Sequence, residues 1–516
     1  MHPAAEGLPE SWVAASLGEL CNINGRAFLP LPGASTQPVV FVPMASVNEE
    51  FGGMDISLTR PLAEVTKGYT SFIEDDVLFA KITPCMENGK LAVVPPLPTQ
   101  IAFGSTEFHV LRSMGAVEPR WVAYYLSQLE FRRTARQGMS GSAGQLRVQA
   151  GWLAAFHIPV APIDEQRRVI ERLDGLLTEL EAGVKELTAA QKKLTQYRQS
   201  LLKAAVEGTL TADWRAQNPP QETGAELLAR ILRERRARWE ARQLEKFKAQ
   251  GKEPPRVGAV SYPEPASADT VEGPQIPATW TWATIEQISS VGTGVTPLRS
   301  KHQYFDGGHV PWVTSGALNA EKVTAATEYV TDAALKECRL LVYPAGALLV
   351  AMYGEGKTRG KCAELGIDAT INQAIAALVF EGISIKCRAF VKAFLWNSYE
   401  RMRQQASGGV QPNLNLQIIK SLVVPMPPLD EQAQIVAMLD MQLESLEAQA
   451  NAIARGLRMA TAQRQNILRA AFSGELVPQD PNDEPASVLL ARIREQRAAT
   501  QTGPQRRKPR VAREPE

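Results

Sequence analysis

The sequence has few cysteines and no pattern that would join them. Its 516 residues include five cysteines, with no C-x-x-C spacing, and five histidines that form no ligand-like cluster with them. We therefore expect neither a structural zinc site nor a disulfide framework. No stretch approaches the roughly 18 uncharged apolar residues of a membrane helix, and the first residues lack the pattern of a secretory signal. These absences predict a protein of the reducing cytoplasm without membrane contact.

The sequence also has almost no net charge. Its 56 lysines and arginines nearly balance 55 aspartates and glutamates, which leaves a formal charge of +1. Any contact with nucleic acid must therefore come from local basic patches, because no global positive field exists. A chain of this length with 44% hydrophobic residues can bury several cores, so we expect more than one domain.

Motifs of catalytic centres are missing or incomplete. The segment Gly354-Glu-Gly-Lys-Thr358 ends like a phosphate-binding P-loop, but Ala351 stands where that motif requires glycine. Asn218-Pro-Pro-Gln221 lacks the aromatic residue with which adenine methyltransferases hold a flipped base. We find no nuclease constellation, no G-x-S-x-G and no H-E-x-x-H. We therefore expect no catalytic centre in this chain.

The second half of the sequence repeats features of the first. The segment PIDEQRRVIERLDGLLTELEA from Pro162 matches PLDEQAQIVAMLDMQLESLEA from Pro428, 266 positions later, and the match continues to Gly208 and Gly474. The opening LPESW recurs as IPATW, and LLARI occurs in both halves. The stretches between these segments are hard to align. Matched frames with divergent inserts predict two variable domains that bind different targets with one geometry.

Each repeated segment is predicted to form a long helix that ends at Gly208 or Gly474. Asp164 and Asp430 suit the N-cap, and the glutamate after each suits the first turn. Apolar residues recur at alternating steps of four and three, which predicts a coiled-coil seam between two helices, most simply antiparallel. One such helix alone could equally be buried in an ordinary bundle, but two copies in register favour a pair. The seam residues are Leu173, Leu177, Leu180, Leu187, Leu439, Leu443, Leu446 and Ile453.

The predicted fold class is mixed α/β, with two α/β domains separated by the two long helices in an internal pseudo-twofold repeat. The linking segments are basic and helical or rich in proline and serine, and the C-terminal QRRKPRVAREPE is typical of a disordered tail. The predicted boundaries are 1–163 and 276–429 for the variable domains, 164–211 and 430–478 for the central and distal helical regions, 212–275 for the basic helical segment and linker, and 479–516 for a C-terminal helix with its tail.

Loops of the variable domains carry side chains suited to DNA. In each domain a predicted strand runs into a turn with glycine and lysine, PCMENGK or GEGKTRGK, and a second polar loop precedes the long helix. Lysine and arginine hold phosphates or read guanine, whereas asparagine and glutamine read adenine. A solvated basic loop or a capped turn is the alternative for each residue. The candidates are Lys81, Asn88, Lys90, Gln145, Arg147, Lys357, Thr358, Arg359, Lys361, Asn372, Gln373, Gln411 and Asn413.

The whole pattern resembles the specificity subunit of type I restriction-modification systems. The resemblance rests on LPESW and IPATW, GGHVPWVTSGAL, FAKITPCMENGK and VAMYGEGKTRGK, TINQAIAAL, and above all on the doubled P-x-D-E-Q start of the long helices. The first variable domain departs from the pattern, with PVVFVPMASVN in place of VPWVTSGAL and STEFHVL in place of TINQAIAAL. We therefore expect two target recognition domains of different subtypes that read different half-sites.

The resemblance implies a noncatalytic subunit that reads a bipartite target in double-stranded DNA, with the helix pair as the spacer. It implies two modification subunits as partners, which carry S-adenosylmethionine and methylate adenine at N6, and it leaves room for two restriction subunits that use ATP and Mg to translocate and cut DNA. No cofactor is expected on this chain. A fused enzyme and a coiled-coil scaffold without DNA specificity are the alternatives; the missing motifs disfavour the first, and the divergent domains have no evident use in the second.

Overall fold

The computed structural model divides into two compact units. Unit 1 comprises residues 1–188 and 454–516, and unit 2 comprises residues 189–453. Three candidate residues, Lys357, Gln411 and Asn413, and the predicted tail after residue 501 lie outside the residues that the structure describes. The described residues are 7–27, 36–49, 53–142, 144–251, 262–268, 275–353, 358–407 and 414–501.

The first variable domain lies in unit 1 and is built from short strands. The strands are β1 (Val13–Ser16), β2 (Cys21–Ile23), β3 (Pro38–Val42), β4 (Thr59–Pro61), β5 (Thr70–Phe72), β6 (Val77–Ala80), β7 (Leu91–Val93), β8 (Ala102–Gly104), β9 (Phe108–Ser113), β10 (Met139–Ser142), β11 (Gln145–Val148) and β12 (His157–Val160). The helices are α1 (Leu17–Leu20), α2 (Leu62–Val65), α3 (Pro119–Ser127), α4 (Leu129–Gln137) and α5 (Ala150–Ala155).

Two four-stranded sheets form the centre of this domain. One has the order β2-β9-β6-β7 and is antiparallel, and the other has the order β4-β3-β8-β5 with β3 and β8 parallel. Strand β6 is a short apolar run, VLFA, whose four residues are all buried. Strands β10 and β11 form a separate hairpin, and β1 pairs with β12. Leu78, Phe72 and Phe108 are fully buried in the core that the two sheets share.

The long helix α6 (Ile163–Glu207) follows β12, and the second variable domain comes later in the chain, within unit 2. The strands of this second domain are β13 (Thr281–Thr284), β14 (Ser290–Thr293), β15 (Val310–Val313), β16 (Lys322–Val323), β17 (Glu328–Val330), β18 (Leu348–Ala351), β19 (Cys362–Leu365), β20 (Thr370–Ile371), β21 (Ile375–Val379) and β22 (Val423–Met426). The shorter helices of unit 2 are α7 (Ala212–Gln217) and α8 (Gly224–Ala249), which precede the second variable domain, and α9 (Ile285–Ile288), α10 (Asp332–Glu337), α11 (Ile385–Asn397), α12 (Tyr399–Ser407) and α13 (Leu416–Lys420) within it. The second long helix, α14 (Leu429–Phe472), and α15 (Ala486–Gln501) complete the described chain.

The two variable domains share one strand topology although their sequences hardly align. The order β14-β21-β18-β19 repeats β2-β9-β6-β7, and β17-β15-β20 repeats β4-β3-β8, including the parallel pair. Each domain adds its own strand to this common plan, β5 in the first and β16 in the second. The expected mixed α/β class, with two sheet-containing units joined by a long helix, is confirmed.

The predicted seam is fully buried at only four of its eight positions. Leu173 and Leu177 belong to the core of unit 1, and Leu439 and Leu446 belong to that of unit 2. The other predicted seam residues, Leu180, Leu187, Leu443 and Ile453, are half-buried. In unit 1 the helices pair antiparallel, because Arg464 Nη1 donates to Glu181 Oε1 at 3.2 Å and Leu187 lies against Gly456.

The residues that mark the sequence repeat form the same clasp in each unit. In unit 1 the Trp12 indole N–H donates to Glu165 Oε2 at 3.0 Å, and in unit 2 that of Trp280 donates to Glu431 Oε2 at 2.8 Å. All four residues are buried. The doubled P-x-D-E-Q signal therefore supplies a carboxylate that fixes the opening of each variable domain to the first turn of the following long helix.

The glycines that end the long helices lie beneath the prolines of the repeated openings. Gly208 and Gly474 both have φ of +79°, which L side chains rarely adopt, and the expected stops are confirmed. A Cβ on Gly474 would stand 2.5 Å from Pro9 Cγ, and one on Gly208 would stand 2.6 Å from Pro277 Cγ. Each opening segment thus packs on the start of one long helix and on the end of the other.

The expected N-caps are wrong by two residues. Helix α6 begins at Ile163 and α14 at Leu429, because the carbonyls of Pro162 and Pro428 already accept the first helical hydrogen bonds. Asp164 and Asp430 therefore lie in the first turn. Their carboxylates remain close to the positive end of the helix dipole, so the residue type still suits the place.

Candidate nucleic-acid interface

The structure joins the two candidate loops of the first variable domain into one surface. The chain leaves β6 at Lys81 and turns through 83–89, and the β10–β11 hairpin packs on this turn. The Thr83 hydroxyl accepts from the Leu146 N–H at 2.9 Å, while the Thr83 N–H donates to the Leu146 carbonyl at 3.0 Å. Val148 N donates to the Lys81 carbonyl at 2.9 Å. Lys81, Gln145 and Arg147 therefore belong to one continuous region.

The charges of this region are organised by Glu107. Arg147 donates two hydrogen bonds to its carboxylate, from Nε at 2.9 Å and from Nη2 at 2.8 Å. These hydrogen bonds, followed by the positive charges of Arg147 and Lys81, lower the pKa of Glu107 below its ordinary value. The guanidinium is thus held in a fixed plane at the foot of the hairpin, while Gln145 is exposed near its tip. A two-stranded ribbon of this kind fits the DNA major groove.

His109 holds the hairpin to the sheet and was not among the residues expected from the sequence. Its Nε2 lies 2.8 Å from the Val148 carbonyl, and its Nδ1 lies 3.0 Å from the Asn24 amide nitrogen. Burial lowers the pKa of His109, which favours the neutral ring. That ring can donate from Nε2 and accept at Nδ1, so it fits both contacts. The sequence contains no local motif that predicts this role, because Asn24 and Val148 are far from His109 in the sequence.

The other candidates of this domain have partners within the protein. The Lys90 ammonium donates to the carbonyls of Met44 at 3.1 Å and Val47 at 2.9 Å, so it stabilises the turn after β3. Asn88 is exposed and donates to Glu49 Oε1 at 2.8 Å. These contacts give Lys90 a structural task, whereas Asn88 stands at the surface, where its contact with Glu49 can be exchanged for another.

In the second variable domain, two candidate loops meet at the end of β18. Met352 N donates to the Ala374 carbonyl at 2.8 Å, which joins the strand end to the turn of Asn372 and Gln373. The Gly360 N–H donates to the Ala351 carbonyl at 2.9 Å, which brings back the segment from Thr358 to Lys361. The described parts of the two candidate segments therefore share one edge of the sheet.

The side chains at this edge differ in how firmly they are held. Asn372 Oδ1 accepts from Ala374 N at 3.2 Å, as in an Asx turn, and Gln373 contacts the Thr296 hydroxyl. Lys361 Nζ donates to Asn319 Oδ1 at 2.6 Å. The Nε of Arg359 is buried and has no hydrogen-bond partner among the residues that the structure describes.

Neither a metal centre nor a membrane span is found in the described part of the chain. No group of three or more histidine, cysteine, aspartate or glutamate side chains there could hold a metal ion. None of the helices there is both long and apolar enough to cross a membrane.

Comparison with known proteins shows that this chain is similar to type I restriction-modification specificity proteins. Residues 277–454 match the family model of the type I restriction modification DNA specificity domain. The EcoEI specificity subunit of Escherichia coli is 27% identical over 336 residues, which cover 57% of this chain and 53% of that protein. The EcoAI specificity subunit of Escherichia coli is 27% identical over 323 residues, 54% of this chain and 51% of that protein. The chain thus spans about half the length of these two relatives.

Two further likenesses extend over most of the chain. The EcoKI specificity subunit of Escherichia coli strain K12 is 23% identical over 530 residues, which cover 96% of this chain and 98% of that protein. A solved chain from work on complex assembly and conformational transition of the type I R-M system has a TM-score of 0.62 at 20% identity and covers 91% of this chain. The resemblance to type I specificity subunits is confirmed, and the solved chain supports the fold.

Proposed function

We propose that this chain is the DNA-sequence-specificity subunit of a type I restriction-modification complex, in which each variable domain reads one half of a bipartite target. The observation that carries the proposal is the repeated clasp, Trp12 with Glu165 and Trp280 with Glu431. It fixes two domains of one topology, with different loops, in equivalent ways to the same pair of helices. Such a design suits two different sequences read with one geometry.

The long helices serve as the spacer in this proposal. Helix α6 has 45 residues and α14 has 44. A helix of 45 residues rises about 68 Å at 1.5 Å per residue, enough to connect half-sites one helical turn of DNA, roughly 34 Å, apart. The length of these helices would then decide the number of base pairs between the half-sites.

The uncovered part of the helices is the proposed docking place for two modification subunits. Met441 and Met459 of α14 are 71% and 70% exposed, and Tyr197 of α6 is 49% exposed. Exposed methionine and tyrosine are typical of protein interfaces. In this proposal the chain acts in the cytoplasm without catalysis and without a cofactor of its own. S-adenosylmethionine is bound by the modification subunits, and ATP and Mg by two restriction subunits where these join.

The test is single-molecule sequencing of N6-methyladenine in cells that express this chain with its modification subunit. The proposal expects a bipartite motif with a fixed spacer, present only when this chain is expressed. An assembled complex that adds no methylation would overturn it and would favour a coiled-coil scaffold without DNA specificity.

Substitutions in one domain should alter only one half of that motif. Gln145→Ala is expected to relax one half-site, and Asn372→Ala the other, because each removes a side chain that can read a base edge. Arg133→Ala and Lys386→Ala are matched controls on exposed surfaces of the same two domains and should leave the motif unchanged. A change in both half-sites from either candidate substitution would contradict the assignment of one half-site to each domain.

A further inference from the structure

The β10–β11 hairpin of the first variable domain turns a polar face outward. In an antiparallel ribbon, directly paired residues share a face, and successive residues alternate between the two faces. On the apolar face Val148 is buried in the core of unit 1, and Met139 packs against that core. The members of the polar face are Ser140, Ser142, Gln145 and Arg147. A ligand of this hairpin would therefore meet these four side chains.

Arg147 uses only part of its hydrogen-bonding capacity within the protein. A guanidinium carries five N–H groups. Nε and Nη2 donate to the two oxygens of the Glu107 carboxylate, at 2.9 and 2.8 Å, and Nη1 donates to the Gln145 carbonyl at 3.2 Å. Nη1 and Nη2 each retain one N–H group that has no partner among the residues that the structure describes. The guanidinium lies at the surface, and the side chain is 35% exposed, so a ligand can approach it.

The carboxylate of Glu107 fixes the plane of this guanidinium. Glu107 directly precedes β9, and its carbonyl accepts from the Lys81 N–H at 2.9 Å, so its backbone is joined to the end of β6. A two-point contact with a carboxylate restricts rotation of the guanidinium, whereas a single hydrogen bond would allow it. The two remaining N–H groups are therefore held in a set direction.

The same carboxylate balances the charge of Arg147. The hydrogen bonds from Arg147 lower the pKa of Glu107, so the carboxylate is ionised at neutral pH. The charge of the neighbouring Lys81 also acts on Glu107, while burial favours the neutral form of His109. A carboxylate repels DNA phosphates, so an arginine paired in this way is suited to the uncharged edge of a base.

We propose that Arg147 reads a guanine in the half-site of the first variable domain, and that Glu107 is the residue that positions it. The proposal rests on the DNA-reading function proposed above. In the major groove guanine presents two adjacent acceptors, N7 and O6, whereas adenine presents one acceptor and one donor. Two N–H groups on the terminal nitrogens of one guanidinium match the guanine pattern, and the amino group of adenine opposes one of them.

Gln145 lies two residues away on the same face and provides an internal comparison. Residues at that separation along a strand are about 6.6 Å apart, while successive base pairs rise about 3.4 Å. We therefore expect the two side chains to reach different base pairs of one half-site. Substitution of either residue should change one position of the motif and leave the other unchanged.

Single-molecule sequencing of the methylation motif, in cells that express this chain with its modification subunit, tests the assignment. Arg147→Ala should make one G·C pair of one half-site degenerate and leave the other half-site unchanged. Gln145→Ala should alter a different pair of the same half-site, and Arg133→Ala, on an exposed surface of the same domain, should alter none. A bipartite motif that Arg147→Ala leaves intact would overturn the inference alone. A wild-type complex without any bipartite motif would overturn the proposed function as well.

Binding to modified DNA separates base reading from a structural effect of the substitution. 7-Deazaguanine lacks the N7 acceptor and still pairs with cytosine, and it is placed at each guanine of the target in turn. At one position in one half-site it should weaken binding of the wild-type complex by about fivefold or more in fluorescence anisotropy. The Arg147→Ala complex should lose its sensitivity at that position alone. Glu107→Gln leaves the charge of Arg147 but releases its plane, so the sensitivity should fall there too.

Two results of this experiment would contradict the reading of guanine. One is a wild-type complex that tolerates 7-deazaguanine at every position of the target. The other is an Arg147→Ala complex that binds all DNA sequences more weakly by the same factor, with a shallower dependence on salt, because that behaviour indicates a phosphate contact. If Arg147→Ala prevents assembly, the scan of the wild type against Glu107→Gln decides between the same outcomes.

Discussion

Replacement of the buried glutamate at the start of each long helix by glutamine should lower the stability of unit 2 more than that of unit 1. The two glutamates are Glu431 in unit 2 and Glu165 in unit 1. Glu431 accepts from Trp280 at 2.8 Å, from the Thr211 hydroxyl at 2.7 Å and from Arg215 Nε at 2.8 Å. Glu431→Gln keeps the size of the side chain and one acceptor oxygen, but it removes the charge that faces Arg215.

The cost follows from the burial of the ion pair. Removal of one member of a buried pair typically costs about 3–5 kcal/mol. The Arg215 side chain is 20% exposed, so solvent screens part of its charge, and we expect about 2–4 kcal/mol for Glu431→Gln.

Among the residues that the structure describes, no cation forms an ion pair with the equivalent carboxylate of unit 1. Glu165 accepts from Trp12 and from Gln479 at 2.5 Å, while the nearby Arg168 pairs with Asp483 at 2.6 Å. Burial raises the pKa of Glu165. Glu165→Gln loses about one hydrogen bond, worth roughly 1 kcal/mol, and also relieves the burial of a charge, so its net effect should lie within about 1 kcal/mol.

Native-state hydrogen exchange measures the two units separately, through the ladders β13–β22 and β1–β12 that adjoin the clasps. Glu431→Gln should lower the opening free energy of the first ladder, whereas Glu165→Gln should leave the second nearly unchanged. Equal losses in the two ladders would refute the assignment of the difference to Arg215.

The pH dependence provides a second readout of the same reasoning. Because the folded-state pKa of Glu165 lies above the ordinary value of 4.5, its favourable contribution is complete below that value and is lost as pH rises through the folded pKa. The protection of the β1–β12 ladder in the wild type, relative to Glu165→Gln, should therefore increase on acidification towards pH 4.5. A constant difference would contradict the raised pKa.

Three further predictions follow from packing and charge. Gly474→Ala should destabilise unit 1 by about 1–3 kcal/mol in urea unfolding, since the left-handed backbone strains alanine and its Cβ would meet Pro9. Leu173→Ala, at a fully buried seam position, should cost about 2–5 kcal/mol, and Leu187→Ala, at a half-buried one, clearly less; equal costs would show that the seam is uniform. Glu107→Gln should strengthen DNA binding and steepen its dependence on salt, measured by fluorescence anisotropy, because it frees the neighbouring guanidinium for phosphate.

The fold class and the two long helices could be predicted from the sequence, because the repeat presents each of their signals twice. The apolar runs around Leu78 and Leu349 became buried strands, and Gly208 and Gly474 ended the long helices as expected. The N-cap assignment at Asp164 was wrong because the preceding proline carbonyl can start the helix without any help from a side chain.

The arrangement of the candidate interface was beyond the sequence, because it depends on pairs distant in the chain. Arg147 meets Glu107, 40 residues away, and His109 meets Val148, 39 residues away. Lys90 has the residue type of a phosphate contact, yet backbone carbonyls of another turn receive its ammonium. Residue type indicates what a side chain can bind, whereas the tertiary fold decides which partner it meets.

The division of the chain into units has a consequence for its biosynthesis. Unit 2 is one continuous stretch, 189–453, but unit 1 needs both 1–188 and the residues from 454 onward. During translation the first variable domain therefore leaves the ribosome long before the end of α14, where Leu468 and Phe472 join its core. Unit 2 can fold as soon as residue 453 has emerged, whereas the domain that is synthesised first is the last to be completed.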